Sequence, residues 1–539
     1  MNAEHNQFAF NGGMNLFNAD SSLAENEYAI GINIRVRDNT VYPILNPHEF
    51  RYLPQGKRQG LYAVGSILII FIDGQAYYKL STGLVWYNVI NLQLDSTVDY
   101  IYGCAVPTSF NNFTRLLETS GESNSGIKLG TTTNSGLPGA FVVQDGINQP
   151  WIIYPNGAAR VLHTYTEWML TDREYVPIGK QMMFFKGILY IVAPDNKSFY
   201  RSVSGRPLDF VVNIDASGFK GGDATTTSHS VDYNAITCIT SLNNDSFLVA
   251  TAFACYSITP NYDNQIFGEP TFDQASMISA GVVNQNSFIE ILGDYAFIDY
   301  EGLKSFNAVS QVTMENKINV FSMLVSKLFA GIVQDVCCAA TFDSSALFSL
   351  KTTYGYCILI YDLLAQKFVS IDITEAVQIK QFAVIYTESE RKIYAITASK
   401  LFELFGDAES FATPVIFTRA FIATNSNSQK PLEQKSAQLT TFFSDSNSDS
   451  TVVAAEVVDE KQYSARISKQ LRQTLNGILF PVAPPVFTNS NKILQAINFV
   501  FMETLRGYKV SYMITWYNDA RLIGFSITAG AEKTISNNI

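Results

Sequence analysis

Charge is what this chain has least of: Asp, Glu, Lys and Arg make up only 16% of its 539 residues. The shortage is greater on the basic side, with 37 Lys and Arg against 48 Asp and Glu and a net charge of −11. A dedicated nucleic-acid binder needs a basic footprint. No run of Lys or Arg supplies one, and the densest spots, Arg35 with Arg37 and Lys57 with Arg58, read as solvated strand ends or turns. Histidine is equally scarce. His5, His48, His163 and His229 stand at no ligand spacing from another His, Cys or acid, which leaves metal catalysis and structural zinc without support. The six cysteines, at 104, 238, 255, 337, 338 and 357, match no zinc or redox pattern. The polar opening of the chain lacks the apolar stretch of a secretory signal, so free, buried thiols in a reducing compartment are expected. Long hydrophobic runs are missing too. The most apolar, around 67–71 and 248–258, fall far below the roughly 18–20 residues that span a bilayer. A soluble protein with no membrane insertion and no lipid anchor is expected.

Catalytic signatures are also missing. There is no nucleophile elbow, P-loop or dinucleotide fingerprint, and no Ser-x-Asp-x-Gly-x-x-Trp box of sialidase-like propellers. Paired carboxylates deserve more weight, because two facing acids hydrolyse glycosides. Asp294, Asp299 and Glu301 fall within one hairpin, and Asp209 with Asp215 near another. Asp294 and Glu301 each adjoin a glycine, as turn acids do, and Asp209 reads as a turn residue beside Phe210. Trp86, Trp151, Trp168 and Trp516 admit a sugar-binding surface, with burial the simpler explanation. The expectation is therefore not an enzyme, with no catalytic, cofactor-binding or metal-binding residue and no cofactor.

What the chain does have is aromatic side chains, 13% of the total with 38 Phe and 28 Tyr, within a hydrophobic content of 47%. Aromatic and β-branched residues suit a pleated, half-buried surface, so the composition points to an all-β protein. A large surface with so little charge points to an assembly.

The pattern along the chain divides it in three. Residues 1–50 read as an N-terminal arm and β-hairpin: Tyr28, Ile30, Ile32, Ile34 and Val36 alternate with Ala29, Gly31, Asn33, Arg35 and Arg37, and Asp38-Asn39 forms a two-residue turn. Residues 51–413 carry a strand–turn–strand cadence, with apolar runs at 61–71, 75–79, 141–154, 187–192, 236–258, 287–306, 357–371 and 392–405. Blades of about 45–55 residues give six to eight over that span, so a β-propeller of six to eight blades is expected. The stretch 120–139 reads as a long Gly/Ser/Thr loop, and 316–331 as an inserted helix capped by Gly331. Residues 414–539 read as a smaller C-terminal β domain of sandwich type, with alternating runs at 451–458 and 507–516. A short helix is admitted near 468–475.

Two stretches carry a family resemblance. Asn11-Gly12-Gly13-Met14-Asn15, followed by Glu27-Tyr28-Ala29 and Asn33-Ile34-Arg35-Val36-Arg37, resembles the opening of tail nozzle and stabilisation proteins of short-tailed bacteriophages. The segment Tyr200-Arg201-Ser202-Val203-Ser204-Gly205-Arg206-Pro207-Leu208-Asp209-Phe210 is similar to a blade-edge signature of the same proteins, with the muzzle and ring proteins of crAss-like phages the nearest in kind. The resemblance implies a structural protein of the virion tail, made in the bacterial host cytoplasm. It also implies a homo-oligomeric ring, commonly a hexamer, with other tail proteins above and below. Genomic DNA would pass through that ring during ejection without specific binding, and net acidity suits such a lumen by repelling phosphate. The alternatives are a glycan- or receptor-binding tail propeller, or a polysaccharide-degrading enzyme using Asp209, Asp294 or Asp299.

Overall fold

The computed structural model describes residues 2–80, 83, 85–89, 92–106, 140–154, 157–160, 176–202, 207, 210, 234–261, 271–306, 322–374, 378–388, 390–406, 410–421, 434–444, 450–458, 462–463, 467–471, 495–501 and 509–531. The protein is all-β, built from many small antiparallel sheets. Among the described residues no helix is long and apolar enough to cross a membrane.

Seven sheets follow one another along the chain. Sheet I is Arg58–Val64, Ile67–Ile72, Gln75–Leu80 and Tyr87–Asn88, and sheet II is Tyr102–Val106, Ala140–Gln144, Trp151–Tyr154 and Gly157–Arg160. Sheet III is Met182–Phe185, Ile188–Val192 and Phe199–Arg201, and sheet IV is Ile236–Ser241, Phe247–Thr251, Cys255–Asn261 and Thr271–Ile278. Sheet V is Phe288–Ile291, Asp294–Asp299 and Gly302–Ser305. Sheet VI is Cys338–Phe342, Ser345–Thr352, Gly355–Asp362 and Lys367–Asp372. Sheet VII is Gln381–Tyr386, Arg391–Ile396 and Leu401–Leu404, completed by His48–Glu49 from far earlier in the chain.

The apolar runs read in the sequence resolve into hairpins because left-handed residues break them. Asp73 and Gly74 (φ 46° and 78°) and Lys186 and Gly187 (φ 48° and 79°) form two-residue turns whose twist matches the flanking strands. The second strand of several sheets is buried along its whole length, as in Ile67–Ile72, Ile188–Val192 and Phe247–Thr251. Continuous burial means that both faces are covered, and neighbouring sheets do the covering. Ile69 and Phe71 of sheet I pack with Phe141 and Val143 of sheet II, Leu189 of sheet III with Val142 of II, and Phe247 of IV with Tyr190 of III. Phe297 of V packs with Leu248 of IV, Phe348 of VI with Ile298 of V, and Ile393 of VII with Leu347 of VI. Sheets VII and I share a core as well, with Ile385 and Tyr394 against Leu68 and Ile70. Polar contacts also cross that last junction. Gln381 Oε1 accepts the Leu61 N–H at 3.0 Å, and Lys380 Nζ donates to the carbonyls of Arg58 and Asp99 at 3.0 and 2.8 Å.

The remaining strands form a sandwich. In one layer Leu522–Ala531 lies between Gln434–Phe443 on one side and Asn2–Gln7 on the other, and Thr40–Pro43 joins it through Leu522↔Val41. In the other layer Ile30–Ile32 sits between Lys367–Asp372 of sheet VI and Val415–Phe417. The layer continues through Val510–Trp516 and Ser450–Val458. Residues 1–50, read from sequence as an arm, are thus woven into both layers and into sheet VII. Their hairpin forms as expected, with Val36↔Val41 across Asp38 and Asn39 at φ 48° and 58°.

Two helix expectations change. Ile467–Leu471 is a strand paired with Ser450–Ala454, because backbone pairing to an open sheet edge outweighs weak helical spacing, and 472–475 lies outside the described residues. Met323–Leu328 is a single 3-10 stretch that buries Val325 and Leu328, while 316–321 lies outside the described residues. The 120–139 loop also lies outside them.

Candidate functional site

Residues of the first resembling stretch gather near the joint between the sandwich and sheet VI, while the second begins in the last strand of sheet III, with 203–206, 208 and 209 outside the described residues. A Cβ on Gly12 would stand 2.7 Å from the Asn26 carbonyl oxygen. One on Gly13, whose φ is +78°, would stand 2.7 Å from the Phe368 carbonyl oxygen, so only glycine fits both places. Asn15 Nδ2 donates to both Glu27 carboxylate oxygens at 3.2 Å, and Glu27 also accepts the Ala24 N–H at 2.9 Å. Asn33 holds a left-handed backbone at φ 54°, which asparagine tolerates. Its amide donates to the carbonyls of Ile373 and Thr413 and accepts the Ile373 N–H, tying three segments together.

Arg35 completes the joint. Its guanidinium forks onto Asp372, with Nη1 to Oδ1 at 3.0 Å and Nη2 to Oδ2 at 2.6 Å, the planar geometry that suits a carboxylate. Asp372 is 1% exposed and also accepts from Ser370 Oγ at 2.7 Å. The Phe405 ring lies 4.9 Å from the guanidinium carbon. Tyr28, fully buried, donates its hydroxyl to the Val369 carbonyl at 2.7 Å, and burial raises its phenol well above the ordinary range.

Beside this joint opens a cleft of about 1190 Å³, bounded by the 36–39 hairpin tip and by turns of sheets V, VI and VII. Asp362 accepts the N–H groups of Leu364 and Ala365 at 2.8 and 2.9 Å, a turn that holds Leu364 83% exposed on the rim. Leu292 also lines the cleft, 60% exposed and left-handed at φ 46°. Arg391 lies 3.3 Å from Asp343, whose N–H donates to the Tyr386 hydroxyl at 3.0 Å. The lining contains neither His nor Cys. The lining thus combines apolar rim residues with charges of both signs.

Leu292 is strained, because a bulky side chain at positive φ costs about 1–2 kcal/mol. Leu292→Asn is expected to raise folding stability by about 1 kcal/mol, read from the denaturant midpoint of the variant against the parent. No gain would remove the argument that a costly exposed leucine is kept for contact.

The acids singled out from sequence do not converge. Asp294 and Asp299 begin and end one strand, about 17 Å apart at about 3.4 Å per residue, and their odd separation turns them to opposite faces. Asp299 is 5% exposed, ion-paired with Lys304, and accepts the Tyr300 N–H at 2.6 Å. Glu301 reaches the same lysine at 3.4 Å, an ion-paired turn rather than two acids flanking an open space. Asp209 and Asp215 lie outside the described residues, as do His163, His229 and Trp168.

The other singled-out groups are packed. Trp516 is fully buried and donates to the Ala520 carbonyl at 2.7 Å, and Trp86 stands edge-on to Phe50. His5 lies against Phe421, and burial, with Arg419 nearby, lowers its pKa. The six thiols are unpaired, five of them buried. Burial pushes Cys104, Cys255, Cys337 and Cys357 up to about 12 and raises Cys238 and Cys338 as well, so all remain protonated and unreactive at neutral pH. Among the described residues no three of His, Cys, Asp and Glu gather as a metal site. The joint and its cleft escaped the sequence reading because their parts lie about 330 residues apart in the chain, as Arg35 and Asp372 do (|i−j| = 337). The one local signal was a Leu-Gly pair where a tight hairpin usually carries Asn-Gly. No protein-family profile and no curated protein sequence matches this chain.

Proposed function

We propose that this chain is a structural subunit of a bacteriophage virion tail, part of a ring-shaped nozzle or muzzle through which genomic DNA is ejected. The observation that carries the reading is where the resemblance residues lie. Gly13, Asn33 and Arg35 meet sheet VI or the chain leaving it, while Gly12 and Glu27 hold the segment beside them through Asn26, Asn15 and Ala24. A motif set that builds one rigid joint is what a load-bearing subunit needs, and its rim offers Leu292 and Leu364 to a neighbour.

In this reading the seven sheets are the blades of a closed propeller. Support comes from the first strands, which lie beside one another from sheet I to IV, from V to VII and from VII back to I, with Ile236–Ser241 of sheet IV beside the 3-10 turn Gln285–Ser287 that leads into sheet V. Further support is the shared core of sheets VII and I and the outer strand that His48–Glu49 lends to sheet VII. Gln285, at the start of sheet V, donates to the carbonyls of Met182 and Ile239 and so straps the first strands of III and IV together. A propeller strapped in this way is solid, and the passage for DNA is the opening between identical subunits, commonly six. Other tail proteins stack above and below. The net charge of −11 suits a lumen that repels phosphate and lets the duplex slide.

Electron cryomicroscopy of the assembled protein tests this through the charge of its lumen. An acidic or neutral channel wall is expected. A predominantly basic wall, or assemblies with no central opening, would contradict the proposal.

A further inference from the structure

Only three Lys or Arg residues are buried among the described residues, and all three lie where sheet VII meets sheet I. Arg58 is 3% exposed, Lys79 3% and Lys380 9%. Burying a cation is unfavourable unless an anion pairs with it; among the described residues none of the three forms an ion pair, and Asp73, Glu403 with Glu390, and Asp99 act on Arg58, Lys79 and Lys380 only from beyond contact distance. Lys380 is held by two carbonyls, of Arg58 and Asp99, and by the Tyr100 ring 4.6 Å away. Arg58 donates to the Pro54 carbonyl at 2.8 Å, while its Nε, though buried, has no hydrogen-bond partner.

Lys79 is held differently. Its ammonium lies 4.6 Å from the Phe50 ring centroid, 5.1 Å from Tyr394 and 5.7 Å from Trp86. These rings come from both sides of the seam, Trp86 from sheet I and Tyr394 from sheet VII, with Phe50 directly after the strand that completes sheet VII. A cation among aromatic faces is attracted by each, more weakly than by a carboxylate in the same place. The Tyr394 hydroxyl and Glu390 Oε2 are also buried there without hydrogen-bond partners. The strand completing sheet VII is only two residues long. The junction of sheets VI and VII buries Leu347, Ile358, Ile360 and Ile393 with no buried cation, whereas the VII–I seam combines its apolar set, Leu68, Ile70 and Ile385 among them, with all three cations.

We propose that the seam between sheets VII and I is a release joint: a closure kept weak by buried cations that close no ion pair, at which the circle of sheets parts when the subunit changes shape. The proposal rests on the reading of the seven sheets as a closed circle. Parting the seam returns three cations to water, so the opened form recovers hydration that the closed form gives up. Every junction exposes apolar surface when it parts, and among the described residues only this one recovers the hydration of buried cations in return.

Hydrogen exchange on the full-length protein, read by mass spectrometry on peptides covering each first strand, tests this. Peptides from 58–64 and 381–386 are expected to exchange at least about tenfold faster than those from 182–185 and 338–342, yet far slower than unprotected chain. Lys79→Met removes the buried charge and keeps a flexible apolar stem, and should slow exchange at the seam alone by about tenfold. Phe50→Ala opens the ring cage and should speed it. Seam strands as slow as the rest, or indifferent to both substitutions, would overturn the release joint while leaving the closed circle intact. Seam strands exchanging like unprotected chain in the parent would instead overturn the closed circle itself.

Discussion

Replacing Arg35 with alanine is expected to cost about 3–5 kcal/mol of folding free energy, the range for removing one partner of a buried, hydrogen-bonded ion pair. The reason is what stays behind. Asp372 is 1% exposed and would keep only the Ser370 hydroxyl against its charge. The loss should fall on the joint, since Arg35 belongs to the hairpin that enters the sandwich and Asp372 ends the last strand of sheet VI. Denaturant unfolding followed by tryptophan fluorescence measures it. Arg35→Met with Asp372→Leu should recover most of the loss, because a matched apolar pair carries no desolvation penalty. A loss below about 1 kcal/mol in the single variant would mean that the pair behaves as a surface contact and does not lock the joint.

The second large effect depends on pH. Glu456 points into the sandwich at 8% exposure, where its Oε1 accepts from the Tyr512 hydroxyl at 3.4 Å. Burial raises its pKa from 4.5 to about 7, and the Tyr512 bond opposes part of that rise. Between these values the folded carboxyl holds a proton that the unfolded one has released, so stability falls as pH rises through the window. The slope ends once both states are ionised, above about pH 7, by which point about 3 kcal/mol has been lost relative to pH 4. Glu456→Gln keeps a hydrogen-bonding group and removes the ionisation. It should abolish this part of the slope and be about 2–3 kcal/mol more stable than the parent at pH 8, as read from denaturant midpoints at pH 5 and 8. A variant that tracks the parent at both pH values would show that the carboxyl is ionised in the fold without cost.

Fold class was legible because strand periodicity and turn chemistry are local. Asp73-Gly74 and Asp38-Asn39 sit at tight turns in the structure, and Phe210, read as an anchor from its place after a turn, is 1% exposed. Runs such as 61–71 hid their internal turn, since Gly65 with Ser66 is a weak signal between two apolar strands. Pairing between distant segments was not legible. Nothing local to Asn2–Gln7 indicates that it lies along Leu522–Ala531, because a six-residue polar strand is recognised by backbone groups that every sequence shares. His48–Glu49 is a similar case: two residues too short to read as a strand complete sheet VII. Lys79 looked like an ordinary strand lysine, and only packing between two sheets reveals its cage of rings.

The central claim is that this chain forms a closed ring around an opening. Mass photometry of the purified full-length protein at nanomolar to micromolar concentration tests it most directly. The account predicts one dominant species at a whole-number multiple of the chain mass, commonly six, unchanged on dilution across that range. A monomer throughout, or a ladder of species growing without limit as an open, non-closing contact would produce, would contradict it.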